Sequence, residues 1–316
     1  MPPAAIIQPA LRSNRSAMVT AAARTALKKR DMIKPKQERP RGILNVAAAQ
    51  PMGGHWRYHP SDDLAPFVEH YWTVEWDLQQ PLRPETLPHP SVHISLEAGR
   101  CEVFGVMSRR FTRVLQGSGR VLGIKFRPGG FRPFVTQPVA DFTDRRLPLH
   151  QVFGDGADGL ERQALAQQDH RAAIAVLETF LRQRQPQADP SIALAGHIAG
   201  RIAADRSITR VEQLVGEFGI GMRSLQRLFS EYVGVSPKWV IQRYRLHEAA
   251  ARMAAATEVA SRIDWPDIAL DLGYADQAHF IRDFRKLVGK SPADYVKALA
   301  KTRPEAARSF ETSSKT

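Results

Sequence analysis

A single cysteine in 316 residues, Cys101, leaves no partner for a disulfide framework and no thiolate set for a structural zinc site, a usage that fits a reducing compartment. Long apolar runs are missing too, and none approaches the ~20 residues needed to span a bilayer. Acidic side chains are scarce at one end. Residues 1–45 hold ten Lys or Arg against Asp31 and Glu38, which puts +8 of the chain's +13 there and leaves +5 for the remainder. The same stretch lacks apolar periodicity, so it is expected to be a disordered basic arm or residues from an upstream start, with Met18, Met32 and Met52 as internal alternatives. His89, His93 and Glu97 lie close together, but no His-x-His pair accompanies them and a proline separates the two histidines, so no metal or cofactor is expected. Gly129-Gly130 is not followed by a Lys-Ser/Thr helix start, which reads as a tight turn rather than a phosphate cradle.

What the chain does have is a repeat. Leu225, Arg227, Phe229, Gly234 and Ser236-Pro237 recur as Phe280, Arg282, Phe284, Gly289 and Ser291-Pro292, each 55 residues later. Across the preceding glycine turn the offset becomes 54, with Leu214, Phe218 and Gly219 recurring as Ile268, Leu272 and Gly273, so one residue has been added inside the second turn. A unit that keeps its apolar and glycine positions while slipping in a loop is one structure used twice. Each copy reads as helix, glycine turn, helix: Val211, Leu214, Val215 and Phe218, then Gly219-Ile220-Gly221, then Met222, Leu225, Phe229 and Val233. In the second copy Asp276 is the expected N-cap, with Phe280, Phe284 and Val288 facing inward.

The outward face of each second helix carries the candidate site. It comprises Arg223, Ser224, Gln226, Arg227 and Ser230 in the first copy, and Gln277, His279, Ile281, Arg282, Arg285 and Lys286 in the second. Most charged helix faces are simply solvated. These, however, mostly lack carboxylate partners in sequence, and Arg and Gln are the side chains able to bond guanine and adenine edges in pairs, while Ile281 suits a thymine methyl. Such spacing points to helix-turn-helix binding of double-stranded DNA. Over about 190–300 the chain resembles the AraC/XylS family of bacterial transcription regulators, with GYADQAHFIRDFRKLVGKSPADY and SLQRLFSEYVGVSPKWVIQRYRL as the matching segments. The resemblance implies two motifs joined by a helix, a cytoplasmic, nucleoid-associated protein, and RNA polymerase, a small-molecule effector and a second copy of the chain as candidate partners. Fifteen basic against twelve acidic residues over 190–300 mean that DNA affinity must come from placement more than bulk charge.

Short apolar runs cut by Pro and Gly fill residues 55–150. Phe67-Val68 with 71–76, then 92–96, 101–104, 111–115 and 121–126 read as strands, with turns expected at 97–99, 116–119 and 127–130. Even spacing suggests a small barrel or sandwich. The segments YWTVEW, LPHPSVHISLE, VFGVMSRRF and LGIKFRPGGFRPF resemble the cupin-like sensor domain that precedes some family members, departing at His89-Pro90-Ser91. Trp72 and Trp76 read as core. Helical sequence follows, with a wide apolar face over 169–184 and a boundary at 185–190.

The expected organisation is therefore α+β. A basic arm occupies 1–45, a small β-barrel, cupin-like domain with flanking helices 46–187, an all-α domain with two helix-turn-helix motifs joined by a long helix 188–300, and a disordered tail 301–316. The joining helix, from Pro237 to about Met253, should be ~25 Å long. Three function classes fit: a sequence-specific transcription regulator; an enzyme, either a DNA-repair methyltransferase or a metal-dependent barrel; and an architectural DNA protein. One cysteine cannot supply both a zinc domain and an alkyl acceptor, and a protein without base preference has no use for Gln226, Gln277 and His279. The regulator is the reading the sequence favours.

Overall fold

The computed structural model describes residues 52–258 and 263–301; the basic arm expected over 1–45 and nearly all of the expected tail lie outside them. The amino-terminal half is built on strands β1 (Met52–Tyr58), β2 (Val68–Leu82), β3 (Glu85–Thr86), β4 (His93–Glu97), β5 (Arg100–Phe104), β6 (Phe111–Thr112), β7 (Leu115–Phe126) and β8 (Arg146–Pro148). Six of them form one antiparallel sheet in the order β1-β2-β7-β4-β5-β8, and β3 pairs with β6 as a separate two-stranded antiparallel ribbon. The sheet is open. Strands β1 and β8 stand at its two edges instead of bonding to each other, so the closed barrel expected from strand spacing does not form. Spacing counts strands but does not contain the tilt and stagger that closure requires.

One face of this sheet is core. Ile94 lies opposite Ile124 and Leu96 opposite Leu122 across β4 and β7, and all four are buried. The other face explains a misplaced turn. Gly117 and Gly119, expected to break the chain, lie inside β7, where Gly119 pairs with Trp76 and Gly123 with Trp72. A Cβ at Gly119 would fall 2.2 Å from the Trp76 ring, and one at Gly123 2.0 Å from that of Trp72. The glycines give each indole a flat seat on the neighbouring strand, a packing role that a turn-based reading of glycine misses. The other two turns form where expected: Gly99 closes the β4–β5 hairpin with φ 73 and Gly129 turns with φ 88.

Helices α1 (Leu149–Phe153), α2 (Leu160–Leu165) and α3 (His170–Arg182) follow. Helix α3 buries Ala173, Ile174, Leu177, Phe180 and Leu181, as its periodicity requires, and is capped by Asp169, whose carboxylate accepts from the Ala172 amide at 2.9 Å. Its start is tied to the sheet through His170, which bonds Tyr58 at 2.6 Å and Glu75 at 3.0 Å.

The carboxy-terminal half is helical: α4 (Pro190–Ala204), α5 (Val211–Phe218), α6 (Met222–Leu228), α7 (Pro237–Glu258), α8 (Trp265–Asp271), α9 (Gln277–Val288) and α10 (Pro292–Lys301). Asp189 caps α4 just ahead of Pro190, accepting from the Ser191 amide at 2.6 Å. After α6 the chain continues as a wider turn, Phe229–Val233, closed by Gly234 at φ 93.

Besides a small cluster of Trp76, Leu78, Leu115 and Val121 on the sheet, two larger buried clusters hold these elements. The first runs without a break from Leu64 through the sheet, α3 and α4 to Leu214, Leu225, Phe229, Val240 and Ile241, so the first motif shares its core with the β half. Across 185–190, where a boundary was expected, the packing is continuous. The second cluster gathers Leu246, Ala249, Met253, Leu272, Phe280, Phe284, Val288 and Tyr295, together with Leu87 from the β half. Helix α7 contributes Val240 and Ile241 to one cluster and Leu246, Ala249 and Met253 to the other, which makes it the element on which both motifs are hung.

Candidate nucleic-acid interface

Helices α6 and α9 acquire two-sided character from the same spacing. On α6, Leu225 and then Phe229 point into the core, which leaves Arg223, Ser224, Gln226, Arg227 and Ser230 exposed. The turn before α6 is set by Gly219 in the left-handed region at φ 60. On α9, Phe280, Phe284, Leu287 and Val288 are buried, while Arg282, Arg285 and Lys286 are exposed. Gln277 and His279 are half-buried at the helix start, where Asp276 accepts from the His279 amide at 2.7 Å. The His279 ring stands edge-on to Tyr274 at 5.2 Å and 3.6 Å from Asp283. Ile281 is partly buried against the second cluster, so less of it faces outward than the helical spacing alone suggests.

The cations on these faces differ from a set of ion-paired arginines elsewhere among the described residues. Arg110, Arg113, Arg120, Arg132, Arg146, Arg182, Arg201 and Arg252 each meet a carboxylate. Among the described residues, Arg223, Arg227, Arg282 and Lys286 meet none, so their N–H groups are available to an outside acceptor.

Side chains that sequence reasoning did not single out fix the two motifs to α7. Glu248 receives Arg206 at 2.9 Å and Arg252 at 2.8 Å, and Arg252 reaches on to Asp271 at 2.9 Å, linking the loop before α5, the connecting helix and α8 in one ionic chain. Arg245 stacks over Tyr274 at 4.1 Å. Gly273, at φ 71, lies so close to Thr209 that a Cβ would come within 2.6 Å of its methyl, which brings the second motif's turn against the first motif's entrance. Only Glu248 and Arg252, four apart on a helix, could have been paired from sequence. Helix α7 runs 22 residues to Glu258, longer than its apolar pattern suggested, and spans ~33 Å.

A second polar region lies where the sheet meets α7. Lys125, 9% exposed, donates to Glu69 at 2.9 Å, and His70 lies 3.5 Å from the same carboxylate. The His89 ring is 4.5 Å from that of His247, whose Nε2 donates to the Pro88 carbonyl at 3.1 Å. Burial lowers the basicity of His93 to about 3 and of His247 to about 4, and Lys125 and neighbouring cations push the same way. Glu97 sits at the far end of β4, ion-paired with Arg113, away from the histidines. Among the described residues no group of three or more His, Cys, Asp or Glu is placed to hold a metal. Burial, reinforced by Glu161 and Glu102, pushes the Cys101 thiol up to about 12, the opposite of what a nucleophilic thiolate needs.

Comparison with known proteins is consistent with the geometry. Residues 214–298 match a family model described as a helix-turn-helix domain, and residues 56–148 match a domain of unknown function (DUF6597). No curated protein matches the chain. Among solved structures, an apo point variant of ToxT from Vibrio cholerae strain SCE256 is 14% identical, covering 72% of this chain and 97% of that one at a TM-score of 0.36. ToxT from Vibrio cholerae O395 is 11% identical over 72% and 96%, TM-score 0.35. Unsaturated fatty acid bound wild-type ToxT from strain SCE256 is 13% identical over 78% and 92%, TM-score 0.35. Likeness this distant carries no weight for fold or function. No helix among the described residues is long and apolar enough to cross a membrane.

Proposed function

We propose that this chain, a DNA-binding transcription regulator by the AraC-type helix-turn-helix domain at residues 214–298, reads two successive major grooves with helices α6 and α9. The observation that carries the reading is the equivalence of Arg227 and Arg282: 55 residues apart, exposed, without a carboxylate partner among the described residues, and each opposite a buried phenylalanine of its own motif. Helix α7 supports the two-groove geometry, since its ~33 Å span is close to the ~34 Å that separates major-groove centres on one side of a duplex. In this reading Arg223, Ser224, Gln226, Arg227 and Ser230 face one half-site, and Gln277, His279, Ile281 and Arg282 the other. Arg285 and Lys286, in the last turn of α9, face phosphates.

We assign the DUF6597-like half to control rather than base reading. What supports this is the shared core: the first motif's Leu214, Leu225 and Phe229 belong to the cluster that also contains the sheet, so a ligand or a second copy of the chain that shifts the sheet acts on the platform of α6. Effector control, dimerisation and contact with RNA polymerase belong to this proposal. The sheet half's one thiol, Cys101, is held protonated by burial.

Selection of bound duplexes from a random pool tests the reading. The expected result is a motif of two unequal half-sites centred about one helical turn apart. Binding without sequence preference would instead favour an architectural role, and a single half-site would limit reading to one helix.

A further inference from the structure

The β3–β6 ribbon brings the amino-terminal half onto the second motif at the end of helix α9. Arg110, just before β6, donates to the carbonyl of Val288, the last residue of α9, at 3.3 Å and to Glu85 on β3 at 3.1 Å. Glu85 in turn lies 4.0 Å from Lys290. Between them Gly289 turns the chain at φ 78, with the Arg110 guanidinium so close that a Cβ would come within 2.6 Å of its central carbon. Just past β3, Leu87 is 1% exposed and sits in the second cluster, whose other buried members all come from Leu246 onward. The next residue, Pro88, accepts from His247 on α7.

These contacts amount to more than a passing surface ion pair, which is worth ~0–1 kcal/mol. A helix ends with carbonyls that have no partner of their own, and Arg110 satisfies one of them from another part of the fold. Leu87 fills a core that would otherwise belong to one motif alone. Helix α9 is already held near its start by the Asp276 cap and by Tyr274 under Arg245. With its far end held as well, it has no free end about which to pivot.

We propose that the β3–β6 ribbon is a positioning clamp for the second reading helix: Leu87 and the chain Arg110–Glu85–Lys290 set how α9 is presented, so discrimination at the second half-site depends on the amino-terminal half. The clamp rests on reading α9 as a DNA-contacting helix. Glu85 and Arg110 are positioning residues, since they act through α9 and not on bases.

Two measurements on the full chain, with Arg110→Ala and Glu85→Gln, test it. Hydrogen exchange without DNA should quicken over 283–290 by about threefold to tenfold while 222–233 keeps its wild-type rates. Binding to duplexes altered in one half-site at a time should show discrimination falling by about threefold to tenfold at the second half-site only, with Arg110→Lys intermediate because it keeps the cation but loses the forked donor. Unchanged exchange at 283–290, or equal loss of discrimination at both half-sites, overturns the clamp. Because the exchange arm needs no DNA, wild-type protein that selects no sequence would count against the DNA reading while exchange still decides the clamp.

Discussion

Acid should loosen the seam between sheet and connecting helix, and the size of the effect can be worked from one ring. His247 titrates near 4 in the folded chain against an ordinary 6.5, because burial disfavours its charged form more than its bond to Pro88 supports it, with Arg243 and Lys125 adding repulsion. The unfolded chain therefore takes up a proton on this residue between pH 6.5 and 4 while the native chain does not, so native stability is full above 6.5 and is lost as pH falls through that window. From pH 7 to pH 5 the two values give a loss of about 2 kcal/mol, and halving it for a ring that is not wholly buried leaves about 1 kcal/mol. His93, held near 3, and His89, also held low by burial, act in the same direction. The groups facing these rings are Lys125, Glu69 and His70 from the sheet, Arg57 from β1, and Arg243 and Tyr244 from α7. Glu69 adds little pH dependence above pH 5, where its stabilisation is already complete. Burial raises its pKa, but its bonds to His70 and Lys125 outweigh that and hold it well below the usual range, so its stabilisation is lost only below about pH 4.5. Urea unfolding at fixed ionic strength from pH 7 to 5 is the assay, comparing wild type with His247→Gln, whose amide N–H can still reach the Pro88 carbonyl. The variant should lose about 1 kcal/mol less than wild type over that range. A midpoint flat from pH 7 to 5, or a variant with the wild-type slope, would refute the reasoning.

Arg227→Ala and Arg282→Ala should each lose about 1–3 kcal/mol of binding and relax base preference at one half-site, whereas Arg285→Ala and Lys286→Ala should weaken all duplexes alike and reduce the salt slope by about one; competition binding at several salt concentrations separates the two patterns. Gly234→Ala places a Cβ at φ 93 and 3.0 Å from the Val139 carbonyl, so it should destabilise by about 1–3 kcal/mol in denaturant melts. Gly123→Val should unseat Trp72 and red-shift its fluorescence, at a similar cost of about 1–3 kcal/mol. Deleting residues 1–45, with their net +8, should flatten the dependence of affinity on salt and leave the selected motif unchanged; a shifted motif would give the arm a part in base reading.

The repeat at offsets of 54 and 55 is a local property, and through it the sequence alone determined the helix–turn–helix units, the inward phenylalanines, the Asp276 cap and the outward Arg227 and Arg282. Each depends on spacing within one helix or on the φ a glycine permits, both of which are written in neighbouring residues. Tertiary structure decided the rest. Strand spacing carried no information on closure, so an open sheet stands where a barrel was expected. Gly119 and Gly123 could not be recognised as seats for Trp76 and Trp72, because the register that pairs them joins β2 to β7, strands far apart in the chain. Likewise Leu87, Glu85 and Arg110 lie far in sequence from the motif they hold, and Arg206 and Asp271 meet only because α7 brings Glu248 and Arg252 between them. Periodicity fixes which face of an element is buried; only the packing of distant elements decides which element covers it, and that is why the outward faces of α6 and α9 were legible and the contacts that hold these helices were not.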